Sequence, residues 1–443
     1  MSSPLANPAF RTLFAAQICS LLSVGLLTVA LSLTAYDLGG DAAGGRILGF
    51  LLALKMVAYV LLAPLAETLL AHRPRRPVMV MLDLTRMLLL LPMALVTQTW
   101  QIALLAFAFF AVSSAFTPLF QSVIPDLLPE EETYTKALSY SRIAYTLESI
   151  LSPVIAAGVL KVVPSDALFY CAAFAFIGSV AALLATRFPV ANMLARKGPF
   201  LRRALRGLTI YRHTPRLRGL FLLNFALSLT MAWVLVNTVV YCGQRLGDPE
   251  HFYPILMAFY GVGAASGALI VPRILPRVHE RRVMLIGAWG FAALGLLILL
   301  PVHVPLLAAI WTGFGLASSL VLTPGGLVIA RSANREDRPA VFAAQFSLSH
   351  AGWLIAYPLA GWLASWVSLE AAMVILCALG AAVALWATRV WPANDPIERV
   401  HAHPELPDGH PHLHDEPPEG PNHKHRHAYR IDDLHPHWPG SPA

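Results

Sequence analysis

SYSRIAYTLESILSP, residues 139–153, lies inside an apolar run of helical length and yet contains an arginine and a glutamate. At 100° per residue, Glu148, Ser141, Ser152, Tyr145, Ser149 and Arg142 fall within about 120° of arc, while Ile143, Leu147, Ile150 and Leu151 point elsewhere. One face of this helix is polar. An ionised group at the centre of a bilayer costs about 2.5–3.5 kcal/mol on insertion scales, so such a face must look onto protein partners or water inside a bundle.

The rest of the chain supplies that bundle. Of its 443 residues 57% are hydrophobic and only 13% charged, against about 25% charged in soluble domains. This composition describes an integral membrane protein. Apolar runs of about 20 residues, enough to cross about 30 Å of hydrocarbon as a helix, recur at 12–36, 46–70, 78–97, 100–123, 137–161, 167–188, 219–241, 253–275, 283–302, 304–329, 339–366 and 370–391. The spacing predicts an all-α membrane protein of twelve transmembrane helices. The amino terminus lacks the pattern of a cleaved signal peptide, so the first helix is expected to be retained. Cys19, Cys171, Cys242 and Cys377 fall in or beside spans, far apart in sequence, and read as small packing residues rather than metal ligands.

Lysine and arginine set the orientation. Connections after even-numbered helices hold Arg73, Arg75 and Arg76; Arg196, Lys197, Arg202, Arg203, Arg206, Arg212 and Arg216; Arg273, Arg277, Arg281 and Arg282; and Arg331, Arg335 and Arg338. Those after odd-numbered helices hold Arg46, Lys161 and Arg245. Both termini are expected in the cytoplasm, and the net charge of +7 reflects this bias rather than nucleic-acid binding.

The basic stretch 189–218, with Pro199 and Pro215 inside it, separates six spans from six and reads as a cytoplasmic linker, partly helical and lying along anionic headgroups. The flanking units, 1–188 and 219–391, show weak self-similarity at an offset near 206 residues. FRTLFAAQICSLL from Phe10 pairs with LRGLFLLNFALSL from Leu217, aligning Gln17 with Asn224; Arg75 and Arg76 pair with Arg281 and Arg282, and Pro153 with Pro358. Duplication of a six-helix bundle accounts for these matches in one step.

Two six-helix halves joined by a long loop form the plan of the major facilitator superfamily, with substrate held near the midplane between them. NPAFRTLFAAQICSLLS at the amino terminus, LDLTR at the third span and ALSYSRIAYTLESILSP resemble the drug-efflux-type branch of that superfamily, in particular its nickel-resistance exporters. The resemblance covers residues 5–391. It implies a bacterial inner-membrane exporter of nickel, and of cobalt beside it. In the loop between the second and third helices, Glu67, Ala71 and His72 replace the family's usual glycine, aspartate and first arginine, leaving Arg75 and Arg76. The usual gate is half present, and Asp83 with Arg86, three apart on one helical face, are candidates to replace the missing acid.

After Trp391 the chain changes character. Residues 393–443 hold 10 of the 16 histidines, nine acids, four bases and few large aliphatic side chains, a composition expected to remain disordered over 392–443. The histidines are paired: His401 and His403; His410, His412 and His414; His423, His425 and His427; His435 and His437. Alternate side chains of an extended chain point the same way, so each H-x-H offers two imidazoles to one ion. Imidazole suits zinc, copper, nickel and cobalt alike. The alternative is a solvated tail whose histidines do nothing in particular.

Inside the bundle Glu148 is the coupling candidate: a carboxylate exposed in turn to the two sides can trade a proton for a cation. Tyr145, Ser141 and Arg142 share its face, and the alternative for Arg142 and Glu148 is a fixed brace. Lys55, deep in the second span, needs an acidic partner, and Glu148 is the deep acid available. His350 aligns with Tyr145 at an offset of 205 and is expected to face the same chamber. Gln17, Asn224, Asn237, Gln121 and Gln345 are candidates for the path or for interhelical hydrogen bonds. Glu67, Asp83, Arg86, Arg75 and Arg76 are the gate candidates. Pro118, Pro153, Pro324 and Pro358 mark bends. A P-loop, G-x-x-x-x-G-K-[ST], does not occur, so energy is expected from an ion gradient and no cofactor is implied. The sequence therefore reads as a proton antiporter for a divalent metal, not an enzyme. Its alternatives are a multidrug or macrolide-type exporter, and a membrane-anchored metal sensor or buffer.

Overall fold

The computed structural model describes residues 3–62, 73–128, 130–188, 200–301, 303–334, 337–396, 398–403, 407, 424–432, 434–435 and 437–438. Glu67, His410, His412, His414 and His423 lie outside the described residues, as do the side chains of Arg142, Gln121 and Pro118. What is described is helical apart from one two-stranded sheet.

Helix α1 (Pro8–Val57) holds the first two spans. Asn7 starts it, accepting from the backbone N–H groups of Ala9 (2.9 Å) and Phe10 (3.2 Å), with Pro8 at the first helical position where no N–H is missed. The rod turns back at Gly40, where φ is 54°, a value glycine reaches without steric cost. At its far end α1 passes into a π turn, Ala58–Leu62, directly after Lys55. There follow α2 (Arg75–Met93), α3 (Thr99–Leu127), α4 (Glu131–Val159), α5 (Ala167–Ala185), α6 (Phe200–His213), α7 (Pro215–Leu246), α8 (Pro249–Ile274) and α9 (Glu280–Leu296). The last are α10 (Val304–Leu322), α11 (Gly325–Ser332), α12 (Arg338–Trp366) and α13 (Leu369–Val390). α10 and α11 make one rod broken at Pro324, where the sequence places a bend.

Eight stretches are long and apolar enough to cross a membrane on composition alone, the bent α1 supplying two crossings. The polar-faced α2, α4 and α12 complete twelve rods among the described residues, six before α6 and six after it. Each half has an aromatic centre, Phe109, Phe110 and Phe176 in the first and Trp233, Tyr241, Trp311 and Phe314 in the second. The indole N–H groups there are satisfied, Trp233 by Leu369 O (2.9 Å) and Trp311 by Thr238 Oγ1 (3.2 Å), as a water-free interior requires.

The halves meet through the second arm of α1 against α12 and α7, and through α4 against α8. Small residues allow the approach. A side chain at Gly45 would meet Asn237, one at Gly361 would meet the Gly45 carbonyl, and one at Gly49 would lie 2.6 Å from Tyr357 O. Among the described residues the hydrogen bonds between the halves include Ser32 Oγ with Tyr253 Oη (2.9 Å) and Gln244 Nε2 to Asp41 O (3.3 Å). Both lie toward the end away from the arginine-rich connections.

At the arginine-rich end the two halves repeat one device. Arg76 at the start of α2 donates to Leu184 O near the end of α5. Arg281 at the start of α9 donates to Trp391 O (2.6 Å) and Thr388 O (3.2 Å) at the end of α13. Each arginine satisfies carbonyls that a helix end leaves without an intrahelical donor. The linker is helical over Phe200–His213, in line with its partly helical reading. α6 holds α12 through an ion pair of Arg206 with Asp337 (2.6 Å) and a hydrogen bond from Tyr211 to Gln345. Gln345, a path candidate in the sequence, is thereby engaged by the linker.

Some residues of the tail are ordered. Its described part pairs β1 (Glu398–His401) with β2 (His425–Ala428) antiparallel, placing His401 opposite His425 and Arg399 opposite His427. Composition suggests too little apolar surface to fold alone, but this segment does not fold alone. Tyr429, Ile431 and Trp438 are buried. Trp438 lies under the guanidinium groups of Arg399 (4.8 Å) and Arg216 (5.2 Å), while Asp395 pairs with both Arg216 (3.1 Å) and Arg399 (2.9 Å). Arg216 belongs to α7, so the membrane domain supplies part of the tail's core.

Candidate functional site

The polar face of α4 lies against α1, and the π turn packs on α3. The Glu148 carboxylate and the Ser152 hydroxyl sit side by side against Gly25 of α1, where any side chain would collide with both. Ser152 Oγ is buried without a hydrogen-bond partner among the described residues. Gly25 is a site residue that sequence reading missed, because nothing in a lone glycine reveals what it faces. Further along α4, Ser141 Oγ donates to Gln17 Oε1 (3.0 Å), tying α4 to α1. Gln17 is thus a brace.

Lys55 and Glu148, which the sequence offers as partners, do not close an ion pair. The ammonium instead stands over the rings of Phe110 (5.4 Å) and Tyr59 (5.7 Å), a cation–π arrangement that partly replaces lost water. Tyr59 belongs to the π turn, a feature common at functional sites. Its ring is 6.0 Å from that of His350 on α12, so the two halves meet at this point. His350 rests on Phe346 (3.9 Å) and hydrogen-bonds Phe346 O through Nδ1 (2.7 Å). Tyr145, on the same face as Glu148, is 38% exposed. Asn224 does not project into this group: its Nδ2 donates to Leu220 O of its own helix (2.8 Å).

An ammonium, a phenol and an imidazole therefore meet where the halves touch, while the Glu148 carboxylate lies against Gly25 of α1, apart from the ammonium. Such a site accepts a proton or a cation on the carboxylate, and the ammonium opposes having both at once. On its other side Glu148 borders an apolar cavity of ≈ 360 Å³ between α1 and α4, lined by Phe14, Ile18, Leu22, Tyr140, Leu147 and Leu151 among others.

The gate candidates divide. Asp83 and Arg86 form an ion pair with each other, 0% and 2% exposed. Ser179 donates to Asp83 (2.5 Å), Arg86 donates to Ser20 (3.2 Å), and the guanidinium lies between Phe116 (4.2 Å) and Phe176 (4.6 Å). Four helices of one half converge on the pair. Arg75 is half-buried at the first turn of α2, and Arg76 makes the α5 contact described above.

Five tail histidines converge. His401, His403 and His435 form one group with ligand-capable nitrogens within 4.8 Å of one another, and His401, His425 and His427 a second. His435 Nε2 is 3.0 Å from His401 Nε2 and 3.1 Å from His403 Nε2. Burial, with help from neighbouring imidazoles, pulls the basicity of His401 down to about 4. Asp432 accepts from His435 Nδ1 (2.8 Å). Burial works against its charge, but hydrogen bonds from the His435 ring and from the backbone N–H groups of His435 and Leu434, with the ring's charge, hold its pKa at about 2. His437 turns away to the ring of His213, 5.8 Å distant.

The sequence matches the family described as Major Facilitator Superfamily over residues 13–278 and 221–419. Macrolide efflux protein A of Streptococcus pyogenes is 24% identical over 294 residues, covering 63% of this chain and 69% of that protein. Among solved structures, a mutant form of the nucleoside transporter NupG superposes with a TM-score of 0.73 at 15% identity, covering 86% of this chain and 100% of its own. A bacterial homologue of the human lysosomal transporter Spinster, solved inward-facing and unoccupied, gives 0.69 at 14% identity, covering 88% and 98%.

Proposed function

Because the chain belongs to the Major Facilitator Superfamily, we propose that it is a proton-coupled exporter of a divalent transition metal, nickel first and cobalt second, in a bacterial inner membrane with both termini in the cytoplasm. One observation carries the metal reading: five imidazoles converge on the tail, docked at the arginine-rich end of the bundle. The positive-inside rule puts that end in the cytoplasm, where an exporter collects its cargo. Borderline divalent ions favour imidazole, and His350 provides one more at the seam.

In this reading Glu148 exchanges the two ions. Facing the cytoplasm it gives up a proton and takes the metal; facing outward it takes a proton, and the Lys55 ammonium helps expel the cation from the neutralised site. Tyr145 and Ser141 position the carboxylate's helix, while Arg142 and Glu67 keep the roles their sequence positions suggest. Alternating access follows from rocking one half against the other about the glycine contacts.

The apolar cavity beside Glu148 favours a second reading, a lipophilic-drug exporter, as does the similarity to macrolide efflux protein A. Metal and drug sensitivity of a host with and without the chain, full length and cut after Trp391, separates the two. The metal reading requires raised nickel tolerance with lowered cell nickel, and only a weakened effect on truncation. Tolerance to macrolides without tolerance to nickel overturns it.

A further inference from the structure

Between the second half and the hairpin lies a cavity of ≈ 500 Å³, bounded by the starts of α7 and α9, the end of α11, the connection after α13 and both strands. Four guanidinium groups line it, those of Arg216, Arg281, Arg331 and Arg426, with three carboxylates among them. Each carboxylate already has a cation. Asp395 pairs with Arg216 (3.1 Å) and Arg399 (2.9 Å), Glu280 with Arg331, and Glu398 with Arg426 at 3.9 Å. Arg281 is in excess. Among the described residues it pairs with no acid and its Nη1 makes no hydrogen bond, while Nε and Nη2 donate to the carbonyls of Trp391 and Thr388.

Two other features call for an acceptor at the same place. Arg216 is 4% exposed, and its Nε, although 3.1 Å from Asp395 Oδ2, lies off the line of a hydrogen bond and is left without an acceptor among the described residues. A buried donor in that condition is costly until an acceptor reaches it. α9 begins without a side-chain cap, because His279 ahead of it makes none, so the N–H groups of Glu280 and Arg281 have no partner inside the helix and sit at its positive end. A phosphate group answers these demands together, since its several oxygens accept from guanidinium forks and from a helix start at once. We propose that the cavity binds one phosphate-bearing anion, held by Arg216, Arg281 and Arg426 and by the first turn of α9, and that this ligand ties the hairpin to the second half through Arg426. The cavity lies at the arginine-rich end, where such a group comes either from an anionic lipid headgroup or from a soluble phosphate compound.

The test uses the purified full chain and needs no transport step. In one arm, delipidated protein in neutral detergent is titrated with inorganic phosphate and followed by ³¹P line broadening. In the other, native mass spectrometry counts lipids retained from nanodiscs of phosphatidylcholine with and without phosphatidylglycerol. The proposal requires one saturable equivalent in at least one arm, of inorganic phosphate for a soluble ligand and of phosphatidylglycerol for a headgroup. Arg426→Gln alters a strand residue that is 58% exposed and leaves the α9 contacts untouched. It must weaken the equivalent at least about tenfold, as the loss of a charge-assisted hydrogen bond does, and so must Arg281→Lys, which keeps the charge and loses the fork. Arg212→Gln on the linker and Arg245→Gln at the far end must leave it unchanged. Hydrogen exchange at residues 425–428 must slow on saturation with the probe that binds. No saturable equivalent in either arm overturns the site, as does binding that survives both Arg426→Gln and Arg281→Lys. Binding that falls equally with Arg212→Gln overturns it in favour of diffuse attraction to a basic surface. Site-specific binding without slower exchange at 425–428 overturns the tie to the hairpin.

Discussion

Replacing Asp83 tests whether the buried pair on α2 is a brace. Asp83→Leu leaves the Arg86 guanidinium, 2% exposed, with one hydroxyl at 3.2 Å and two phenylalanine faces. Ser179 loses one acceptor but keeps Ala16 O at 3.0 Å, so the cost falls on the arginine. Breaking a buried pair from one side costs about 3–5 kcal/mol. For a half of about 180 residues, at about 2–4 °C per kcal/mol, the apparent melting temperature should drop by about 6–20 °C. The double change Asp83→Leu, Arg86→Met removes both charges and fills the same space, and such replacements are neutral or stabilising. Thermal unfolding of purified protein in one detergent at fixed concentration reads all three forms. The reasoning fails if the single variant loses only a degree or two, or if the double variant is as damaged as the single. A double variant that keeps full stability but loses transport identifies the pair as a gate.

Three further outcomes follow from the packing. Gly25→Ala places a methyl group against the Glu148 carboxylate and Ser152; metal export should fall as far as it does in Glu148→Gln while the protein still purifies as a monodisperse species. Gly361→Val drives a side chain into the Gly45 carbonyl, so cysteines placed on the far-end surfaces of the seam should label faster from outside the cell than in the unsubstituted protein. Tyr253→Phe removes one hydrogen bond between the halves while Ser32 keeps Thr28 O at 2.8 Å. A loss of about 0.5–1.5 kcal/mol shifts the population toward opening at the far end by about 2- to 12-fold in spin-label distance measurements.

The spans were legible because hydrocarbon thickness imposes a length on every one of them, and the duplicated halves because adjacent arginine pairs start the matching helices, although Arg76 makes the cap in one half and Arg281, the counterpart of Arg75, in the other. The polar face of α4 was legible from helical period alone. A pairing of Lys55 with Glu148 was inferred from the scarcity of deep charges, but the sequence could not show that the ammonium would rest over Phe110 and Tyr59. The enclosure of Asp83 and Arg86 was not legible because their partners Ser20, Phe116, Phe176 and Ser179 come from three other helices. In the tail, composition counted few aliphatic side chains and missed that Tyr429, Ile431 and Trp438 would suffice once Arg216 and Asp395 joined them. The H-x-H alternation, by contrast, gave the strand geometry that brings His401 opposite His425.

Reconstituted vesicles with an imposed pH gradient and Ni²⁺ on the side of the arginine-rich end test the exchange at Glu148 most directly. Gradient-driven Ni²⁺ movement in the unsubstituted protein, collapsing with an uncoupler and absent in Glu148→Gln, is the predicted result. Undiminished gradient-driven movement in Glu148→Gln contradicts the assignment of that carboxylate, and movement of a macrolide with none of Ni²⁺ contradicts the metal reading itself.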